Sequence, residues 1–100
     1  PYQDKYCYSS LHLYPLQIIL DEVQKTRKEV FIELRDLGIG VNVHYIPIHT
    51  QPFYQKLGFK FGDFPESENY YNRAISIPLF HTMTIDQQDA VLDALRRVLL

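Results

Sequence analysis

Residues 26–38 read TRKEVFIELRDLG and carry signals for both the start and the end of a helix. Thr26 followed by Glu29 has the spacing of a capping box, in which each side chain satisfies a backbone N–H at the helix start. Apolar residues then recur at helical spacing, at Val30, Leu34 and Leu37. Gly38 supplies a C-terminal stop, so the stretch predicts one amphipathic helix.

Strand-like sequence flanks this helix on both sides. Residues 11–20 alternate and then become continuously apolar, which is typical of a strand partly buried on both faces. Because Pro15 donates no ladder hydrogen bond, we expect an edge strand, a bulge or two shorter pieces there. Residues 39–46 predict a second strand. Its faces would carry Val41 and Val43 on one side and Asn42, His44 and Ile46 on the other.

The C-terminal half predicts further short elements. Residues 47–65 are rich in proline and aromatic residues, which favours a long connection with a short helix near residues 52–57. Residues 66–74 predict a helix, and residues 75–77 a strand that Pro78 ends. The predicted inward residues of that helix are Tyr70, Tyr71 and Ala74. Thr84 is the expected N-cap of a last helix, whose apolar face holds Val91, Leu92, Leu95, Val98 and Leu99.

This order of elements predicts an α+β domain with a small sheet covered mainly on one side by helices. The 100 residues suffice for one hydrophobic core and are too few for two. The formal charge of −2 offers no basic surplus for a nucleic-acid partner. The longest apolar runs are far shorter than the roughly 20 residues that cross a bilayer, so we expect no membrane partner.

The single cysteine, Cys7, excludes an intramolecular disulfide and indicates a reducing compartment, so we expect a cytoplasmic protein. The chain starts with Pro1 in place of an initiator methionine and leads at once into strand-like sequence. This start predicts that the chain begins within a longer protein.

The densest group of chemically capable residues is the run from Asn42 to His49, NVHYIPIH. A histidine at a strand end can bind a ligand oxygen or exchange a proton near neutral pH, and a neighbouring tyrosine can hydrogen-bond or stack. The alternative is that His44 and Tyr45 are satisfied core residues. His44 and His49 lie five residues apart across a proline, which matches no helical pair of metal ligands, so we expect no metal site.

Other polar residues favour structural roles. Asp63, Glu66 and Glu68 are better explained by a polar turn and a helix start than by an acid pair. None of the five lysines has sequence surroundings apolar enough to favour an imine with a cofactor. Those lysines are Lys5, Lys25, Lys28, Lys56 and Lys60.

Three stretches together resemble one family. They are residues 12–15 (HLYP), residues 38–49 (GIGVNVHYIPIH), and residues 74–80 (AISIPLF) with Met83 and Thr84. In this order they are similar to the C-terminal small domain of the DegT/DnrJ/EryC1/StrS sugar aminotransferases, fold-type I enzymes that use pyridoxal phosphate. The run from His49 to Pro65 is most similar to the members that aminate a UDP-linked 4-keto sugar with glutamate in pseudaminic acid biosynthesis.

The resemblance implies that the catalytic lysine and the groups that anchor pyridoxal phosphate belong to a large domain outside this chain. The chain alone is then expected to hold no cofactor and to be inactive. Its partners would be its own large domain, a second copy in a homodimer, and the nucleotide sugar. The small domain would exclude water and orient the sugar.

By the same resemblance, the residues that would contact the substrate are His44 and Tyr45. Asn42, Pro47 and His49 would position their loop, and His12 is a further candidate at the start of its strand. Two alternatives remain open. One is a free-standing ligand-binding or regulatory module of ferredoxin-like plan, which should lack a large exposed apolar patch. The other is a small enzyme with His44 or His49 as general base.

Overall fold

The computed structural model describes residues 3–100, so Pro1, on which the expectation of an upstream segment rests, lies outside the described residues. The chain forms a two-stranded sheet with helices, which confirms the α+β prediction. The strands are β1 (Tyr14–Gln17) and β2 (Ala74–Ile77). The helices are α1 (Leu20–Val23), α2 (Arg27–Asp36), a 3-10 helix (Ile48–Thr50), α3 (Pro52–Lys56), α4 (Pro65–Arg73) and α5 (Ile85–Leu99).

β1 pairs with β2 in antiparallel register, with Pro15 opposite Ser76. On its other side, β2 forms a single bridge: the N–H of Asn42 donates to the carbonyl of Ser76 (3.0 Å), and the N–H of Ser76 donates to the carbonyl of Asn42 (2.8 Å). Both backbone groups of Ser76 therefore face Asn42, and Pro15 occupies a position of the β1–β2 ladder that requires no donor. This register accommodates a proline within a strand.

The predicted strand over residues 39–46 is wrong, because only the Asn42 bridge forms. The next donor on β2, the N–H of Ala74, is bonded to the carbonyl of Tyr70 at the end of α4. The N–H of Val43 donates to the side chain of its own neighbour Asn42 (2.8 Å). Pairing beyond Asn42 therefore has no donor at Ala74, and pairing stops after one residue.

The strand predicted over residues 11–20 is shorter than expected. Leu11 has a positive φ of 54°, which is incompatible with extended pairing, and Leu20 already begins α1. The predicted helices over 26–37, 52–57, 66–74 and the C-terminal residues are confirmed within one or two residues. Both predicted N-caps, Thr26 and Thr84, accept a hydrogen bond from the backbone three residues on.

The hydrophobic core lies where α2 and α5 meet β2. Val30 and Leu34 of α2 are completely buried and pack with Val41 and with Ile75 of β2. Ala94 and Val98 of α5 complete the buried cluster together with Ile18. The apolar faces predicted for both helices thus meet in one core, except that Leu37, the C-cap of α2, and Leu92 of α5 are exposed (36% and 46%). Within residues 3–100, every helix is too short or too polar to cross a membrane.

Candidate functional site

The segment of residues 42–49 is anchored to β2 at its first end. In addition to the Asn42 bridge, the imidazole Nδ1 of His44 lies 2.9 Å from the hydroxyl oxygen of Ser76. Ser76 is buried, so this contact holds a half-buried histidine against the sheet. His44 is therefore partnered by a neutral hydroxyl group rather than by a charge.

The middle of the segment is exposed. Tyr45 is 71% exposed, and Ile46 and Ile48 are 53% and 62% exposed. The ring of Tyr45 stands edge-on to the ring of His44, with 4.6 Å between ring centroids, and the peptide bond between them is cis. Tyr45 is thus not a core residue, and the alternative that it is buried and satisfied is wrong.

The second end of the segment is anchored in a buried polar contact. His49, at the centre of the 3-10 helix, places Nε2 2.7 Å from Oε1 of Glu68 on α4, and both side chains are more than nine-tenths buried. The backbone N–H of Gly62 donates to the same carboxylate oxygen at 2.8 Å. One glutamate therefore links the 3-10 helix, the turn at Gly62 and α4.

The environment of Glu68 favours its ionised form. Burial raises the pKa of this carboxyl, but the hydrogen bonds from the N–H of Gly62, from His49 and from the backbone of Phe64 outweigh it and hold the pKa below the ordinary value. An ionised carboxylate only accepts hydrogen bonds, so His49 carries the proton of this contact on Nε2. The pair is therefore a buried, charge-assisted hydrogen bond.

An apolar cleft of about 340 Å³ adjoins this pair. The ring of Phe64 packs on His49 with 4.8 Å between centroids, and Phe59 lies next to Phe64 at 6.2 Å. The cleft is lined by Ile48, His49, Tyr54, Phe59, Phe64 and Ser67. Its mostly apolar and aromatic walls suit a flat or apolar group.

The structure brings together five of the six residues that the sequence pointed to. Asn42, His44, Tyr45, Pro47 and His49 lie along one short segment held at both ends. His12 is exposed ahead of β1, which pairs with the opposite edge of β2 from Asn42. The structure therefore does not place His12 in this segment. The roles of all six residues toward a substrate stay predictions.

Two residues of the site were missed by the sequence. Glu68 lies in the first turn of α4, as expected, but its side chain is also the buried partner of His49, which the sequence did not predict. Ser76 was taken only as part of a strand, yet it bonds both Asn42 and His44. His49 and Glu68 lie 19 residues apart, and no local spacing rule connects residues at that distance. Only the folded chain therefore reveals this pair.

The surroundings of the lysines show whether this chain could itself supply the amine that bonds pyridoxal phosphate. Four of the five are exposed, and Lys25, which is half-buried, places its amine 2.7 Å from a carboxylate oxygen of Glu33 and 2.8 Å from the carbonyl of Val98. A lysine that bonds the cofactor needs a desolvated, unoccupied amine. The lysines of this chain do not fit that role, and we derive no step through the cofactor.

Metal binding has no support in the described part of the chain, where no group of three or more histidine, cysteine, aspartate or glutamate side chains is suitably placed. His44 and His49 bond different partners, Ser76 and Glu68. The two histidines therefore serve as separate anchors.

Comparison with known proteins places this fold among sugar aminotransferases. The chain is 44% identical over 89 residues to the spore coat polysaccharide biosynthesis protein SpsC of Bacillus subtilis, matching 87% of this chain and 23% of SpsC. It is 36% identical over 93 residues to the UDP-4-amino-4,6-dideoxy-N-acetyl-beta-L-altrosamine transaminase of Campylobacter jejuni, matching 91% of this chain and 24% of that protein. The chain thus spans about a quarter of the length of these relatives.

Solved structures agree. The PMP form of the putative sugar aminotransferase Spr1654 from Streptococcus pneumoniae superimposes with a TM-score of 0.78 at 26% identity, over 87% of this chain and 22% of that one. Helicobacter pylori PseC, an aminotransferase in pseudaminic acid biosynthesis, superimposes with a TM-score of 0.74 at 27% identity, over 87% and 23%. The model of one family matches residues 2–96. The chain belongs to the DegT/DnrJ/EryC1/StrS aminotransferase family.

Proposed function

We propose that this chain is the small domain of a sugar aminotransferase dependent on pyridoxal phosphate, and that residues 42–49 line the site for the nucleotide sugar. The observation that carries the proposal is the segment itself. It holds exposed Tyr45, Ile46 and Ile48 between two anchored histidines. Rigid anchoring of exposed side chains is what substrate positioning requires, since loose contacts lose the gain from orientation.

Exposed apolar side chains outside residues 42–49 support the proposal that another domain covers part of this chain. Residues 53–64, which we call the aromatic segment, include several large side chains that are at least 40% exposed: Phe53, Leu57, Phe59, Phe61 and Phe64. A free-standing module would bury most of this surface, because exposed apolar patches mark interaction sites. The partner proposed for this surface is the large domain of the same protein.

When bound in the complete enzyme, pyridoxal phosphate supplies the electron sink for amino transfer. The lysine that bonds it would come from outside this chain. This chain would contribute the ring of Tyr45 as a packing surface for the sugar, the imidazole of His44 as a hydrogen-bonding group, and exclusion of water from the closed site.

The finer assignment follows the C. jejuni and H. pylori relatives. We propose a UDP-linked 4-keto-6-deoxy sugar as amine acceptor and glutamate as donor, in pseudaminic acid or related amino-sugar biosynthesis. A homodimer and a cytoplasmic location belong to the same proposal. The single exposed cysteine supports the latter, because no disulfide can form within the chain.

The experiment is mutagenesis in the full-length protein, with amino transfer from UDP-4-amino-4,6-dideoxy-N-acetyl-beta-L-altrosamine to 2-oxoglutarate as the assay. We expect Tyr45→Ala to lower kcat/KM for the sugar about tenfold or more, which corresponds to the loss of one packing contact. Tyr8→Ala is the matched control, because it removes the same side chain from an exposed position outside the segment. It should leave kcat/KM within about twofold.

Unchanged sugar turnover and affinity in both Tyr45→Ala and His44→Ala would contradict the proposal that residues 42–49 line the sugar site. If the wild-type enzyme transfers the amine from a different nucleotide-linked sugar but not from this one, only the finer substrate assignment is wrong. The site would then be tested with the sugar that is accepted.

A further inference from the structure

We infer that Glu68 is a positioning residue for the sugar-facing segment, acting through His49. The inference rests on the proposed function, in that the segment is taken to face the sugar. Glu68 itself lies on α4 and is buried, so it does not touch a substrate directly. Its effect would be to hold the exposed side chains of residues 45–48 in one place.

The first step of the argument is the contact itself. Nε2 of His49 and the N–H of Gly62 both bond to Oε1 of Glu68, at 2.7 and 2.8 Å. Removing the carboxylate would leave a buried imidazole N–H and a backbone N–H without a partner. An unpaired buried donor loses its full desolvation energy, so the 3-10 helix would be expected to move or open.

The second step is the geometry of the segment between its anchors. Tyr45 and Ile46 lie between His44, held by Ser76, and His49, held by Glu68. Pro47 is buried and accepts two hydrogen bonds on its carbonyl, from the N–H (3.0 Å) and the hydroxyl (2.8 Å) of Thr50. These two bonds close the turn on itself, and the bond from His49 to Glu68 ties this turn to α4. Freeing His49 would therefore loosen the end of the segment that is not part of the sheet.

The third step is that both anchors belong to one continuous stretch of chain. Glu68 lies on α4, and Ser76 lies on β2, which follows α4 without a loop. Ile75, between the two anchors in sequence, is completely buried in the core. The sugar-facing segment is thus tied at both ends to this stretch of chain, and Glu68 is the tie that lies outside the sheet.

The test uses the full-length protein with Glu68→Ala, the milder Glu68→Gln, and Glu66→Ala as the control on the exposed side of the same helix. The first readout is amide hydrogen exchange at Thr50 and Gln51, whose N–H groups bond within the 3-10 turn. The second is KM for the sugar against KM for the amine acceptor 2-oxoglutarate, in the assay described above.

We expect Glu68→Ala to speed exchange at Thr50 and Gln51 about tenfold or more, while Leu34 in the core keeps its protection. KM for the sugar should rise about tenfold, and KM for 2-oxoglutarate should stay within about twofold. Glu68→Gln keeps an oxygen where Oε1 accepts both hydrogen bonds, so it should lie close to the wild type. Glu66→Ala should change neither readout.

If Glu68→Ala does not fold, Gly62→Ala tests the same tie from its other partner. Gly62 has a φ of +96°, which side chains rarely adopt, although a methyl group there would meet open space. This variant should shift the turn that bonds Glu68 and raise KM for the sugar in the same direction, by a smaller factor.

Exchange at Thr50 and Gln51 that is unchanged, or that rises equally at Leu34, overturns the inference. A second outcome also overturns the inference: Glu68→Ala raises exchange locally but leaves KM for the sugar unchanged, while Tyr45→Ala raises that KM. The proposed function then stands. If Tyr45→Ala and His44→Ala also leave sugar kinetics unchanged, the proposed function fails, and the inference fails with it.

Discussion

The core between α2 and α5 buries aliphatic side chains, whereas the region from the 3-10 helix to α4 buries a histidine and a glutamate and leaves aromatic rings exposed. In the core, Val30 and Leu34 pack with Ile75 of β2 in one apolar cluster. In the other region, His49 and Glu68 are buried while Phe53 and Phe61 face outward. The difference indicates that the first region is held by apolar packing, whereas the second is held by a buried polar contact and leaves an aromatic surface exposed.

The largest effect should come from breaking the core. Leu34→Ala removes a completely buried side chain and is expected to lower the free energy of unfolding by about 2–5 kcal/mol, measured by urea unfolding of the chain. Ile32→Ala, on the exposed side of the same helix, should cost at most about 1 kcal/mol. Equal losses in the two variants would contradict the placement of the core.

A second effect should separate the two regions by pH. The folded pKa of Glu68 lies below its ordinary value of 4.5, so its ionised form stabilises the fold above that pH, and this contribution is lost as the pH falls through the folded pKa. Between pH 6 and pH 3, urea unfolding of the chain should therefore lose less stability in Glu68→Gln than in the wild type.

The matched control for this pH series is Glu66→Gln, on the exposed side of α4. It should keep the wild-type dependence on pH. Some acid sensitivity should persist in Glu68→Gln, because the backbone and side chain of Thr26 also lower the pKa of Glu29. A wild-type slope in Glu68→Gln would mean that the buried pair does not stabilise the fold.

The smallest effect should come from the aromatic segment. Phe61 is exposed, so Phe61→Ser should change the free energy of unfolding of the chain by no more than about 0.5 kcal/mol in urea. A loss comparable to that of Leu34→Ala would show that Phe61 belongs to the chain's own core, and the contrast between the two regions would disappear.

Local signals in the sequence predicted the helices well. The capping spacing of Thr26 and Glu29 and the N-cap at Thr84 depend on residues three apart, and both form as expected. The apolar repeat of α2 likewise predicted Val30 and Leu34 as core residues, although Leu37 of the same repeat is exposed. Such signals lie within one turn of helix, so tertiary contacts rarely overrule them.

The sequence failed where distant groups compete for the same backbone. Residues 39–46 alternate like a strand, but the N–H of Ala74 is used by α4, and the strand does not form. α1 was missed because Leu20 continues the apolar run of the preceding strand. The pairing of His49 with Glu68 spans 19 residues through a turn at Gly62, and no periodicity carries that information. The resemblance to the family pointed to residues 42–49, but only the structure reveals the contacts that hold this segment, from His44 to Ser76 and from His49 to Glu68.

The position of Pro15 has a consequence for association between chains. Among residues 3–100, β1 pairs with β2 on one side only, and the backbone nitrogen of Pro15 points to the other side, where it offers no donor to an incoming strand. Edge strands with free donors are templates for uncontrolled pairing. Pro15 thus protects the open edge of this small sheet from aggregation.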